Sequence, residues 1–178
     1  MAENQNQISL HNISASHQDD DFKGIFSHIF NLTGGKNPAV LNLISIIPSD
    51  TINSNVSHII ESNFRSHWFS FRENPWVTID FKDVAVKLSG YTLKTYSGGE
   101  NYGHMKSWDL EVSNDNTNWI NLHSVRDSND LNADSAHKYY NITSDDYFRF
   151  VRLKMFGRNG AGSDFMVVRC IELFGLTN

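Results

Sequence analysis

Residues 63–72 read Asn-Phe-Arg-Ser-His-Trp-Phe-Ser-Phe-Arg, alternating aromatic with basic side chains. That mixture suits recognition. Tryptophan and arginine bury area and still make hydrogen bonds, so they supply much of the energy at binding interfaces. Arg65, His67, Trp68, Phe69 and Arg72 are the candidate contact residues, with Trp68 and Arg72 as anchors. The competing reading is that Phe64, Trp68 and Phe71 close the end of a core. Two further stretches have loop composition: residues 97–105, Ser-Gly-Gly-Glu-Asn-Tyr-Gly-His-Met, and residues 157–164, Gly-Arg-Asn-Gly-Ala-Gly-Ser-Asp. Tyr102, His104, Arg158 and Asn159 from these could surround a sugar together with Trp68, since such ligands favour an aromatic platform beside fixed polar groups. Their competing reading is a plain connector.

Catalytic templates fail. There is no G-x-S-x-G turn to expose a nucleophilic serine and no H-E-x-x-H helix to hold zinc. Gly35-Lys36 ends like a phosphate loop, but Phe30 stands where the first glycine belongs and Asn37 where Ser or Thr belongs. The eight histidines are scattered singly and read as surface or satisfied core residues. No cofactor, metal ligand or catalytic residue is assigned, and no enzymatic activity is expected.

The elements that would position these loops are mostly strands. Trp76–Phe81 alternates, with Val77, Ile79 and Phe81 on one face and Thr78 and Asp80 on the other. Trp108, Leu110 and Val112 likewise oppose Asp109 and Glu111, and the cluster Asn114-Asp115-Asn116 reads as a turn before a strand at 119–125. Further strands are expected near 39–47, 84–88, 91–96, 136–142, 147–155 and 165–174. One helix is legible near 22–32, where Phe22, Ile25, Phe26, Ile29 and Phe30 share a face. Asp20 or Asp21 would cap it, and Gly34-Gly35 would end it. The pattern predicts an all-β antiparallel sandwich, a jelly roll of about eight strands with a short N-terminal helix. Residues 1–21 are polar and read as a flexible tail, leaving 22–178 as one domain.

The 178 residues suffice for one well-filled core. A formal net charge of −5 with no Lys/Arg block argues against nucleic acid and weakens a lipid surface as partner. No signal peptide or apolar run of roughly 18 residues is visible. The single cysteine, Cys170, points to a reducing compartment, hence a cytoplasmic location. The sequons at Asn12, Asn31, Asn55 and Asn141 carry no weight, because a chain with 20 Asn generates about that many by chance.

Three stretches together resemble a discoidin domain, the coagulation factor five/eight type C domain of galactose-binding-domain-like fold. Trp68-Phe69-Ser70 followed by Trp76-Val77-Thr78-Ile79-Asp80-Phe81 resembles W-x-S, then W-I-x-I-D-L. Residues 107–119 resemble x-W-x-L-x-x-S-N-D-G-x-x-W, with Asn116 where glycine is common. Tyr147-Phe148-Arg149-Phe150-Val151-Arg152-Leu153, a Gly-rich loop, and Ile171-Glu172-Leu173-Phe174-Gly175 resemble R-Y-I-R-L and a terminal E-L-x-G. The variant is similar to the intracellular branch found beside BTB and kelch modules and in protist proteins. Secreted members join their ends by a disulfide, for which Cys170 has no partner; with no dense acidic loop, no calcium is assigned. In such a fold Trp108 and Trp119 are expected to pack across one hairpin, Ser113-Asn114-Asp115 to cap the turn, and Arg149 or Arg152 to pair with a carboxylate such as Asp80.

The resemblance implies a non-catalytic binding module using loops at one end of the sandwich. The leading expectation is a protein partner, with the chain acting as a scaffold in a cytoskeletal or ubiquitin-ligase assembly. The alternative is a carbohydrate-binding, lectin-like domain. A peripheral lipid binder using Trp68 and Phe69 with Arg65 and Arg72 stands third.

Overall fold

The computed structural model describes residues 8–52 and 54–178. In chain order the elements are β1 (Ser14–Ala15), α1 (Ile25–Leu32), β2 (Ser45–Pro48), a 3₁₀ helix (Ser54–Ile60), β3 (Trp68–Ser70), β4 (Trp76–Asp80), β5 (Val86–Lys94), β6 (Trp108–Ser113), β7 (Ile120–Val125), β8 (His137–Asn141), β9 (Phe150–Met155), β10 (Met166–Val168) and β11 (Cys170–Thr177). Period-two alternation makes each central strand apolar on one side, so two sheets must meet face to face. One sheet has the order β1-β11-β5-β8 and the other β2-β4-β9-β6-β7, all antiparallel. β3 and β10 form a separate two-stranded ribbon.

The core lies between the sheets. Val77 and Ile79 of β4, Leu110 and Val112 of β6, and Leu153 of β9 meet Leu88, Leu93, Ile171 and Leu173 of the facing sheet. A buried polar chain links the layers. Trp108 of β6 donates its indole N–H to the Tyr91 hydroxyl of β5 at 3.0 Å, and Tyr91 in turn meets Nδ1 of His123 on β7 at 2.8 Å. Tyr140 of β8 stacks on Tyr91 with ring centroids 5.0 Å apart. Burial pushes both phenols up.

The expected sandwich and helix are present, with three local differences. Tyr91–Tyr96 and Val84–Leu88 are joined through Ser89-Gly90 into one long strand, β5. The expected strand over 165–174 is two, β10 and β11, which pair with different partners. Residues 8–21 are packed down rather than forming the expected tail. β1 pairs with β11, Leu10, Ile13 and Ala15 are buried, and the Thr177 hydroxyl donates to the Leu10 carbonyl. Three apolar side chains spaced through a polar stretch are enough to hold it. Residues 1–7 lie outside the described residues.

Helix α1 also differs at its start. Gly24 is the N-cap and offers no side chain; Asp20 instead accepts the Phe22 N–H at 2.9 Å in the preceding turn. The cap comes from Glu172 of β11, whose carboxylate accepts the N–H groups of Phe26 (2.9 Å) and Ser27 (3.1 Å). Gly24 is needed because a Cβ there would lie 2.2 Å from the Leu173 carbonyl. Gly34 and Gly35, with φ of +63° and +82°, end the helix as expected; the Gly35 N–H reaches back to the Phe30 carbonyl at 2.7 Å.

Trp108 is fully buried, but Trp119 is not its partner across the hairpin. Trp119 lies on the outer face, where the Arg152 guanidinium sits 3.8 Å from its ring centroid and pairs with Glu111 at 2.6 Å. The hairpin's register explains this. Trp108 faces Val125 at one end, whereas Trp119 precedes β7 at the other end. The remaining family features are in place. Arg149 pairs bidentately with Asp80 at 2.7 and 3.0 Å. Asp115 accepts the Thr117 and Asn118 N–H groups, which hold its carboxyl far below the usual range. Asn116 takes the positive φ, +58°, that favours glycine at this position in the family.

Candidate functional site

The β3–β10 ribbon builds the site. Its register pairs Ser70 with Met166, Phe69 with Val167 and Trp68 with Val168. Trp68, Ser70, Met166 and Val168 point inward and are fully or almost fully buried. Phe69 and Val167 therefore point outward. Continuing the same register one step each way sets Phe71 opposite Phe165 and His67 opposite Arg169. The rings agree: Phe69 and Phe71 have centroids 5.0 Å apart, and Phe71 and Phe165 5.7 Å. Tyr96, just past β5, closes one side with its ring 5.1 Å from His67. His67, Phe69, Phe71, Tyr96, Phe165 and Val167 thus line an open cleft of about 250 Å³.

The cleft is held from behind. Buried Asp50 accepts the Ser70 hydroxyl, and at 3.2 Å also the N–H of Phe71, which leaves the Phe71 ring 60% exposed. The Gly103 N–H donates to the Tyr96 hydroxyl at 2.9 Å, fixing that ring. Gly103 is required by close approach, since a Cβ there would lie 2.6 Å from the Phe165 ring. Burial, and then the charge of Arg169, lower the pKa of His67, so its imidazole is neutral at pH 7. No carboxylate lines the cleft. Rings, one neutral imidazole and one phenol can stack on and hydrogen-bond a ligand. Among the described residues no three His, Cys, Asp or Glu side chains converge on a metal-sized site.

All three candidate stretches meet at this end, but their side chains divide. His67 and Phe69 line the cleft. Arg65 and Arg72 are exposed on either side of β3. Trp68, expected as an anchor, is fully buried, because strand parity turns it inward. His104 is also fully buried: its Nδ1 meets the Thr95 hydroxyl at 2.7 Å and its Nε2 meets the Gly99 carbonyl at 2.9 Å. Asn159 is buried as the staple of its own loop, accepting the Ala161 and Ser163 N–H groups and donating to the Phe165 carbonyl. All three side chains are thus closed off from the surface. Tyr102, 60% exposed, and Arg158 lie outside the cleft lining. Phe71, Tyr96, Phe165 and Val167 were not singled out as contacts. The spacing His67-x-Phe69-x-Phe71, facing Phe165-x-Val167, is the signal that identifies them.

The same sandwich recurs in solved structures. A CBM32 of AlyQ in complex with 4,5-unsaturated mannuronic acid superposes with a TM-score of 0.58 at 14% identity, over 73% of this chain and 93% of that one. CpGH89CBM32-5 from Clostridium perfringens, in complex with GalNAc-β-1,3-galactose, gives 0.59 at 16% identity, over 75% and 96%. A chitosan-binding module from a chitosanase/glucanase of Paenibacillus sp. IK-5 gives 0.56 at 15%, over 74% and 93%. At such identities the likeness speaks for the fold. The sequence itself carries the assignment: residues 48–168, from the end of β2 through β10, match the F5/8 type C domain model. With the Asp80–Arg149 pair and the Asp115 turn in their expected places, the chain belongs to the F5/8 type C domain family.

Proposed function

We propose that this chain is a non-catalytic carbohydrate-binding module whose site is the aromatic cleft on the β3–β10 ribbon. The observation that carries it is the outward stripe Phe69, Phe71 and Phe165, with His67 and Tyr96 at one side. Sugar rings present apolar C–H faces and equatorial hydroxyls, which suit aromatic planes flanked by a few polar groups. The cleft, about 250 Å³, suits one or two sugar rings better than a protein surface, which needs an interface of order 1,000 Å². Mannuronic acid and GalNAc-β-1,3-galactose appear as ligands in the names of two structural neighbours, which supports the same reading. A cytoplasmic setting belongs to this proposal: the only thiol, Cys170, is buried and unpaired, so the fold draws nothing from an oxidising compartment.

Affinity electrophoresis through immobilised polysaccharides, followed by a glycan array, tests it. Wild type should be retarded by at least one glycan. Phe71→Ala should weaken that binding about tenfold or more with little change in melting temperature, since the ring is mostly exposed. A folded wild type that binds no glycan but captures a discrete protein partner would favour the scaffold reading instead.

A further inference from the structure

Charge is distributed unevenly among the seven arginines. Four have a carboxylate partner: Arg126 with Asp109, Arg149 with Asp80, Arg152 with Glu111, and more loosely Arg158 with Asp164 at 3.9 Å. The other three, Arg65, Arg72 and Arg169, have none among the described residues. All three lie within three residues of a ribbon strand in the sequence. Arg65 and Arg72 flank β3 on the chain, and Arg169 follows β10 on the face that carries Val167, opposite His67. Arg169 is held in place by neutral acceptors, the Phe64 carbonyl at 2.8 Å and the Ser135 hydroxyl at 3.0 Å, so its charge is positioned but uncompensated. The cleft between them contributes no carboxylate. In a chain of net charge −5 the three arginines without a carboxylate partner among the described residues therefore all adjoin, in sequence, the two strands that carry the aromatic cleft.

We infer that the cleft selects acidic saccharides, carrying carboxylates as uronic acids do, over neutral ones. The inference rests on the carbohydrate-binding reading above and adds the class of sugar. Aromatic rings hold the apolar face of the pyranose. Arginine forks then meet carboxylate oxygens outside the ring plane, a geometry in which two parallel N–H donors match two oxygens. Arg65 and Arg72 are exposed and supply attraction and orientation; Arg169 supplies a fixed charge beside His67. The long-range part of this attraction must weaken as salt shortens the Debye length.

Isothermal titration against matched oligomers decides the matter: hexamannuronate and hexagalacturonate as acidic probes, chitohexaose and a galactohexaose as neutral ones, and linear polyglutamate as a non-saccharide polyanion. At low salt, about 50 mM, an acidic hexamer should bind at least tenfold tighter than either neutral one, and raising salt to about 0.5 M should shrink that advantage. The double variant Arg65→Ala, Arg72→Ala should lose most of the preference while keeping its melting temperature, because exposed unpaired arginines contribute little to stability. Phe71→Ala should weaken acidic and neutral hexamers alike. Equal or tighter binding of the neutral hexamers would overturn the inference and leave the carbohydrate reading standing. So would uronate binding that survives the double arginine change, or polyglutamate binding as tight as uronate. Failure of every saccharide would overturn the carbohydrate reading and this inference with it.

Discussion

Glu172 is the most exposed to test of the structural residues, because one carboxylate serves a strand and a helix that are far apart in sequence. It is 3% exposed and accepts N–H groups from Phe26, Ser27 and, at 2.9 Å, Leu173. Helix α1 has no capping side chain and no acidic residue in its first turn, so nothing local replaces Glu172. In Glu172→Ala the Phe26 and Ser27 donors lose their acceptor. Each buried unpaired N–H costs about 1–3 kcal/mol, so losing the acceptor of these two should cost about 2–6 kcal/mol. For a chain of this size that is a fall in Tm of about 5–15 °C. Glu172→Gln retains one acceptor oxygen and should cost about half as much. The pH dependence has a definite sign. Burial raises the carboxyl from the ordinary carboxylate range to about 8, against the pull of the N–H donors. The folded state thus holds a proton that the unfolded state has released. The favourable contribution is complete below the unfolded pKa, near 4.5, and is lost as pH rises through 8. The slope has a ceiling of about 1.4 kcal/mol per pH unit in that window. Urea melts of wild type and Glu172→Gln from pH 5 to 9 measure both quantities. The wild-type curve should fall with pH and the Gln curve should be flatter. A Glu172→Ala protein melting within about 2 °C of wild type, or parallel curves for wild type and Gln, would refute the cap or the raised pKa respectively.

Two further outcomes follow from two histidines, one partly and one fully buried. Burial lowers the pKa of His123, with Asp109 opposing, so protonation costs more in the folded protein than in the unfolded chain. Its contribution should be intact above about pH 6.5 and decline as pH falls through the lowered value, as the Tyr91 hydroxyl loses its acceptor; His123→Gln should abolish that acidic decline, and a decline unchanged in the variant would refute the assignment. His104→Ala should loosen residues 97–103, whose Gly98 and Gly99 carbonyls it holds, and speed their amide exchange about tenfold or more. It should weaken glycan binding through the displaced Tyr96 ring, whereas Tyr102→Ala should leave binding unchanged; the opposite ranking would mean that Tyr102, not the Tyr96 ring, touches the ligand.

The fold was legible because its strands alternate cleanly. Trp76–Phe81 and residues 108–112 could be read in register from parity alone, and the turn at Asn114–Asn116 announced itself by side chains that bond their own backbone. The helix was legible from its apolar face but its cap was not, since the capping carboxylate comes from β11 and no local pattern points to it. Residues 8–21 were misread for a related reason. Leu10, Ile13 and Ala15 are too few to register as a hydrophobic pattern, yet each finds a buried place against a sheet edge that exists only in the folded chain. The site was legible as a region and not as a set of contacts. Aromatic and basic composition located the three loops, but which ring faces outward depends on the pairing of β3 with β10, nearly a hundred residues apart.

That pairing also explains how one short strand can carry both stability and recognition. In β3 the inward residues Trp68 and Ser70 are sealed, Ser70 by its bond to Asp50, and they fix the backbone from which Phe69 and Phe71 project. Phe71 is mostly exposed and Phe69 partly so, which lets both vary without unfolding the sandwich, whereas Val167 is buried. Trp68 and Phe69 are therefore adjacent in sequence but opposite in consequence. Shortening Trp68 opens a cavity in a close-packed interior and should cost about 3–5 kcal/mol, whereas shortening Phe69 or Phe71 removes surface that water already partly covers. The same logic runs through the second strand, where Met166 and Val168 are core and Phe165 and Val167 form the cleft. A ribbon paired only with itself, outside both main sheets, is the part of this sandwich where such substitution disturbs the least, and it is where the unpaired arginines are found.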